Sequence, residues 1–259
     1  MNNSKPPSLW IRLYSVWFRH TLVYTRNLLS NGLPPFLEPL IFLAGVGLGL
    51  GKYILSMDGM PYLQFLASGI MITSAMYTAA FECTYGTFIR LEFDKVYDGM
   101  LAAPITVNDL LIGEMFWAGT KGFFFAFAVL SMISLFGIIP LATSVFVPLV
   151  GFLTGVMFAS VSLLITSFVK TIDQFNFYFT GILSPMFFFS GVVFPVNNLP
   201  KVLLPIAEIM PLTHSVRLVR ALCAVHFEAG LLLDLLYCLT FTAVMGYLAI
   251  QRLRKRMIQ

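Results

Sequence analysis

Six long apolar runs, at 33–51, 62–88, 110–139, 142–169, 175–196 and 231–250, alternate with short polar or charged pieces along the chain. A bilayer crossing takes about 20 apolar residues, so each run is read as a transmembrane helix, and those well above that length are expected to tilt or to extend beyond the lipid. Residues 8–30 carry a different pattern. Arg12, Arg19 and Arg26 recur every seven residues and share one helix face, while Trp10, Trp17 and Tyr24 recur at the same interval about 200° away. That is a basic amphipathic helix with an aromatic face, suited to lying in the membrane interface. The Gly-Leu-Pro-Pro run at 32–35 is expected to separate it from the first span, dividing the chain into 1–30 and a six-helix domain at 31–259.

Two stretches break the pattern. Residues 88–114 hold Arg90, Glu92, Asp94, Lys95, Asp98 and Asp109, the densest interior charge of the chain. Pro104 biases Ala103 away from helix, so a short helix through 91–101 is expected to end there. Phe88, Leu91, Met100 and Leu101 would face lipid or protein, with Glu92, Lys95 and Asp98 facing water. Thr106-Val-Asn-Asp109 then fits a capping box for the next span. Residues 194–228 are too broken by Pro195, Pro200, Pro205 and Pro211 to cross a membrane, and Val202–Ile206 and Leu218–Val225 are too apolar for a plain loop. Two short helices dipping into the outer leaflet fit both facts; a lid lying flat on the outer surface is the plainer alternative.

Composition agrees with an all-α integral membrane protein: 58% of the 259 residues are hydrophobic and 11% charged, where a soluble domain carries about a quarter charged. The net charge of +4 matters less than its placement. With the N-terminus inside, Lys5, Arg12, Arg19, Arg26, Arg90, Lys95, Lys170, Arg252, Arg254, Lys255 and Arg256 fall on the inner side. Lys52, Lys201, Arg217 and Arg220 fall outside, and Lys121 lies within a span. The positive-inside rule then places both termini in the cytoplasm. No cleaved signal segment is expected at the N-terminus.

Candidate chemistry is sparse. Cys83, Cys223 and Cys238, and His20, His214 and His226, show no metal-ligand spacing, so no metal site is expected. GVGLGLGK at 45–52 imitates a phosphate loop but has Val46 where glycine is needed and Tyr53 where serine or threonine is needed. No hydrolase or zinc-protease motif occurs, so the chain is read as no enzyme and as binding no cofactor itself. Its alternating glycines, Gly45, Gly47, Gly49 and Gly51, have the small-residue spacing of close helix contacts. The intramembrane ionisable residues stand out. Glu38 lies about five residues into the first span, Glu82 ~12 Å in from Arg90 and Lys121 ~16 Å into the third span at 1.5 Å per residue, with Glu114 on the face of Lys121. Such groups are costly unless paired, so Lys121 is expected to pair with Glu82 or Glu38, either structurally or on a polar translocation surface.

The residues also carry a resemblance. EPLIFLAGVGLGLG at 38–51, FLASGIMITSAM at 65–76, the FE-x-x-YGTF-x-R run at 81–90, LIGEMFWAGTK at 111–121, FFFSGVVFPVNNLP at 187–200 and PLTHSVRLVR at 211–220 stand in an order and spacing that resemble the ABC type-2 permease family. The likeness is nearest to the NodJ-like branch, permeases of lipo-chitooligosaccharide exporters, and runs from about Pro35 to the C-terminus. It implies a coupling helix at about 89–104, with Leu91, Glu92, Asp94, Lys95, Asp98, Leu101 and Pro104 meeting an ATPase. It also implies an outer gate at Ser190, Gly191, Pro195, His214 and Arg220. The expected assembly is a homodimer with two copies of a separate ATPase that carries ATP and Mg, in a bacterial inner membrane. It would export an amphiphile (lipo-oligosaccharide, glycolipid or drug-like) that enters between span 1 of one subunit and span 5 of the other, while Arg12, Arg19 and Arg26 steer acidic headgroups. The rival reading, an ATPase-independent secondary transporter or channel, predicts internal repeats, and the two halves show no obvious self-similarity.

Overall fold

The computed structural model describes residues 7–258, so Lys5 lies outside them. The described chain is helical but for one two-residue hairpin: α1 (Leu9–Arg26), α2 (Leu28–Phe42) with a π-helical continuation Leu43–Leu48, β1 (Ser56–Met57), β2 (Met60–Pro61), α3 (Tyr62–Phe81) continued by π segments Glu82–Gly86 and Ile89–Phe93, α4 (Val96–Leu101), α5 (Val107–Leu135), α6 (Leu141–Ser144) and α7 (Val147–Thr166). Then follow α8 (Phe175–Tyr178), a π segment Phe179–Leu183, α9 (Ser184–Phe189), α10 (Leu204–Ile209), α11 (Pro211–Ala224) and α12 (Gly230–Ile258). Among the described residues, five helices are long and apolar enough to cross a membrane: Leu28–Leu48, Tyr62–Phe93, Val107–Leu135, Val147–Thr166 and Gly230–Ile258.

The run at 175–196 departs from expectation. Its helical part ends at Phe189, which gives about 22 Å at 1.5 Å per residue, short of the ~30 Å hydrocarbon core. Gly191 stops it with φ +83°, a left-handed helix end that glycine adopts without penalty. The next residue folds back against α3, where a Cβ on Gly69 would lie 2.9 Å from the Val192 carbonyl oxygen. The fourth run is also divided, since α6 and α7 are separate helices and the helix before them ends at Leu135.

The N-terminal boundary moves as well. The chain breaks at Asn27 (φ −127°, ψ 48°), and α2 runs straight through the Gly-Leu-Pro-Pro segment with Pro34, Pro35 and Pro39 inside it. Proline's fixed φ is helical, so it can stay in the helix while withholding an amide donor. Helix α1 packs on α5 through Val16 and His20, and leaves Trp10, Ile11, Tyr14, Phe18, Leu22 and Val23 exposed. The heptad aromatics therefore part company. Trp10 is free, Trp17 donates its indole N–H to Thr120 (3.0 Å), and Tyr24 meets Trp117 edge-on. Arg12 turns toward the protein, 2.8 Å from Asp109.

Helix α3 is the central element, buried on every side from Phe65 to Met76. The closest helix contact is α5 against α7, and glycine permits it. A Cβ on Gly122 would stand 2.5 Å from the Gly151 carbonyl oxygen, and one on Gly155 2.8 Å from that of Ala118. Of the glycines singled out in the sequence, Gly47 makes the expected close contact, a Cβ there meeting Leu63 of α3 at 2.5 Å, while Gly45 and Gly49 face open space. The Asp58-Gly59 turn of the hairpin, both residues at positive φ, has the residue pair that such turns require.

Replacing Gly122 or Gly155 by alanine overpacks this contact and is expected to destabilise the protein by about 1–3 kcal/mol. Gly49→Ala should change little. Thermal unfolding of the purified protein in detergent distinguishes the two classes.

Candidate functional site

The ionisable residues of α3 and α5 converge on one buried cluster. Arg90 Nη1 donates to Glu82 Oε1 (2.7 Å) and Arg90 Nη2 to Glu114 Oε2 (2.8 Å). Lys121 Nζ donates to the other oxygen of Glu82 (2.8 Å) and lies 4.9 Å above the Tyr24 ring. Of the two partners expected for Lys121, Glu82 is the one in contact. Glu114 is fully buried and bonds not to Lys121 but to Arg90 and to Tyr97, whose hydroxyl donates to Oε1 (2.7 Å). His20 Nε2 stands 3.0 Å from the same oxygen without the alignment of a hydrogen bond, its ring stacked on Trp117.

Local backbone makes room for this cluster. Both π segments of the α3 continuation flank it, and such turns widen a helix locally. A Cβ on Gly86 would approach the Arg90 guanidinium to 3.3 Å, so glycine there leaves the space the arginine needs. Ligand atoms of His20, Glu82 and Glu114 lie within 4.8 Å of one another, spacing that a metal could use. Arg90 already bonds both carboxylates, so the arrangement reads as an ion-pair network. Tyr97 was not picked out from the sequence, His20 was noted only as a histidine without metal-ligand spacing, and Arg90 was read as part of the charged 88–114 stretch without a partner. The signal available was local for Arg90 alone: it lies eight residues from Glu82, within reach once π turns bring them together.

The 88–104 segment is shaped differently from expectation. The continuous helix through 91–101 does not form: Lys95 adopts φ +50° and divides the π-helical end of α3 from the six-residue α4. Asp94, Lys95, Asp98 and Pro104 are exposed, while Leu91 and Leu101 are partly buried. Glu92 does not simply face water, because Arg256 near the C-terminus donates to it (2.8 Å). Tyr97 points inward from α4 and also meets Arg90 Nε at 3.4 Å. Burial and the Glu114 charge push its phenol pKa up, as burial and Glu82 push that of Tyr24 up to about 12, so both stay neutral. The capping box at Thr106 and Asp109 is present, and Arg12 is held by the Asp109 of that box. This reduces the basic face of α1 to Arg19 and Arg26.

Glu38 belongs elsewhere. It lines a cavity of about 610 Å³ between α2, α3 and α9, with Asn31, Thr73, Ser74, Tyr77, Lys121 and Phe187 among its neighbours. A larger cavity of about 1170 Å³ lies at the other end of α3, beside the hairpin and α11. Ser190, Pro195, His214 and Arg220 line it, and Gly191 is joined to it because Arg220 Nη2 donates to the Gly191 carbonyl oxygen (2.8 Å). Arg220 stacks on Phe65 at 3.7 Å, and burial lowers its pKa to about 10. His214 bridges Asp234 (2.6 Å) and the Glu208 carbonyl (2.9 Å). The Glu208 carboxylate is held below its usual range by the hydrogen bond from Arg217. Where two short helices were expected around 202–206 and 218–225, the chain forms the six-residue α10 and the longer, 14-residue α11.

Comparison with known proteins bears on both ends of the molecule. Residues 12–223 match the ABC-2 type transporter family. The chain is 32% identical over 252 residues to Nodulation protein J of Sinorhizobium fredii NGR234, covering 97% of this chain and 95% of that relative. It is 33% identical over 253 residues to Nodulation protein J of Rhizobium meliloti 1021, covering 96% and 94%. It is also 25% identical over 207 residues to the inner membrane transport permease YadH of Escherichia coli K12, covering 80% of each.

The network predicts a sign of coupling. Lys121→Met leaves Glu82 short of one cation, and Glu82→Gln leaves Arg90 and Lys121 with Glu114 alone. The double variant restores charge balance and is expected to be more stable than the sum of the single losses, by about 0.5–3 kcal/mol for groups in contact. Single losses that simply add in the double variant, read by thermal unfolding in detergent, would count against the pairing.

Proposed function

The chain belongs to the ABC-2 type transporter family and is a membrane-embedded transport permease, and on that premise we propose how it works. It acts as a homodimer with two copies of a separate ATPase in a bacterial inner membrane, both termini cytoplasmic, and moves an amphiphile outward. That amphiphile is a lipo-oligosaccharide, a glycolipid or a drug-like molecule. ATP and Mg reside on the partner, and this permease supplies the path.

The observation that carries the reading is the hydrogen bond from Tyr97 to Glu114. A short helix with exposed Asp98 on it and exposed Asp94 just before it reaches, through one phenol, into the ion-pair network that ties α1, α3 and α5 together. Force applied to α4 by a closing ATPase pair therefore has a physical route into α3 and α5. Helix α3 runs from that network to the outer cavity, where Gln64 donates to the Cys223 carbonyl (3.1 Å). Its displacement would act on the Arg220–Gly191 contact and open the outer side near 187–220. The cavity beside Glu38 is the place where an amphiphile is held before transfer, reached between α2 of one subunit and the α8–α9 segment of the other. Arg19 and Arg26 on α1 anchor the inner surface to acidic lipid heads.

Neutralising Glu92, Asp94 and Asp98 together is expected to leave the ATPase bound, as judged by co-purification, and to abolish the coupling of ATP hydrolysis to export. Tyr97→Phe should weaken coupling in the same direction with the surface charge intact. Coupling that survives the triple change sinks the assignment of 88–104 as the contact, and failure of any ATPase to co-purify with the permease sinks the exporter reading.

A further inference from the structure

Glu38 is the one carboxylate within the five long apolar helices for which no ion pair or hydrogen bond exists among the described residues. It stands ten residues past Leu28 in a helix of 21 residues, ~15 Å along the axis, and is exposed on the cavity side of the chain. An unpaired charge within an apolar span is disfavoured and marks a functional position by default. Lys121 lines the same cavity but is committed, its Nζ 2.8 Å from Glu82. Arg90 and Lys121 balance Glu82 and Glu114 within the network, so no cation is left over for Glu38.

The rest of the wall offers acceptors. Pro34, Pro35 and Pro39 have no N–H, so the carbonyls of Ser30, Asn31 and Pro35 lack the amide that an unbroken helix would supply four residues on. All five of these residues line the cavity. The hydroxyls of Thr73 and Ser74 already donate to the carbonyls of Ile70 and Met71, which leaves their lone pairs available. Aromatic rings complete the wall, with Phe42 and Phe187 edge-to-face at 5.7 Å and Tyr77 beside them, and aromatic faces attract cations.

The geometry points to a site for the positively charged ammonium head of an amphiphile, with Glu38 as its counter-ion and the carbonyl and hydroxyl oxygens accepting its N–H groups. At about 610 Å³ the cavity has room for such a head and the first part of an alkyl chain. This rests on the reading of the chain as an exporter of amphiphiles and gives its substrate a sign of charge.

The test is equilibrium binding of a fluorescent dodecyl probe ending in a primary ammonium group to the purified full chain in maltoside micelles, with protein-free micelles subtracted. Matched probes ending in a hydroxyl and a sulfate serve as comparisons. The ammonium probe is expected to bind saturably and about tenfold or more tighter than either, as a charge-assisted pair worth over a kcal/mol requires. Glu38→Gln, nearly the same shape, should erase that preference, and Glu38→Asp should retain part of it; elution as a single folded species qualifies each variant. Equal affinity for the three heads overturns the site, as does a preference unchanged in Glu38→Gln. The measurement needs no ATPase. If the ammonium preference holds while ATP hydrolysis by the whole complex responds to none of the probes, the site stands and the exporter reading falls.

Discussion

A charge inside a bilayer must find its counter-charge within the protein, and that requirement draws four segments of this chain to one point. Arg90 sits between Glu82 and Glu114, Lys121 completes Glu82, and Tyr97 and His20 close around Glu114. None of these groups is stable there alone. Removing one partner from a buried pair leaves an uncompensated charge, which is far more damaging than never having had the pair. The interface helix, the central helix, the short loop helix and α5 are therefore held in register by electrostatics where lipid supplies no hydrophobic drive between helices.

A second constraint fixes the scaffold around that point. Gly119, Gly122, Gly151 and Gly155 bring α5 and α7 into backbone contact, and α3 is buried beside them. Three helices packed this closely transmit displacement along their length instead of absorbing it, because close-packed interiors have little free volume. The ion-pair network lies near one end of α3 and the outer cavity at the other. In the proposed cycle this makes α3 the rod between an ATPase contact and an outer gate.

The two cavities differ in what they ask of a ligand. The larger one is lined in part by charges that pair with each other, Arg217 with Glu208 and His214 with Asp234, while Arg220 is held by the Gly191 carbonyl oxygen and the Phe65 ring. The one beside Glu38 leaves its charge unanswered and surrounds it with acceptors and rings.

Much of the architecture was legible from local pattern alone. Apolar run length identified the five long helices, Thr106 with Asp109 marked a helix start, and prolines marked 194–228 as two short helices. These features depend on residues within a few positions of one another. Other boundaries were misread because prolines at 34 and 35 proved compatible with helix, and because Lys95 took a left-handed conformation that no nearby residue announces. The site was legible only in part. Glu38, Glu82, Glu114 and Lys121 stood out as charges in apolar runs, but their partners did not, since His20 is 94 positions from Glu114 and Tyr97 reaches it from another helix. The sequence by itself determined that these charges must be paired and which residues could cross the membrane. Only the tertiary structure decided who pairs with whom, which glycines make contact, and that Glu38 is left over, because each of those outcomes depends on distances between helices that no local periodicity encodes.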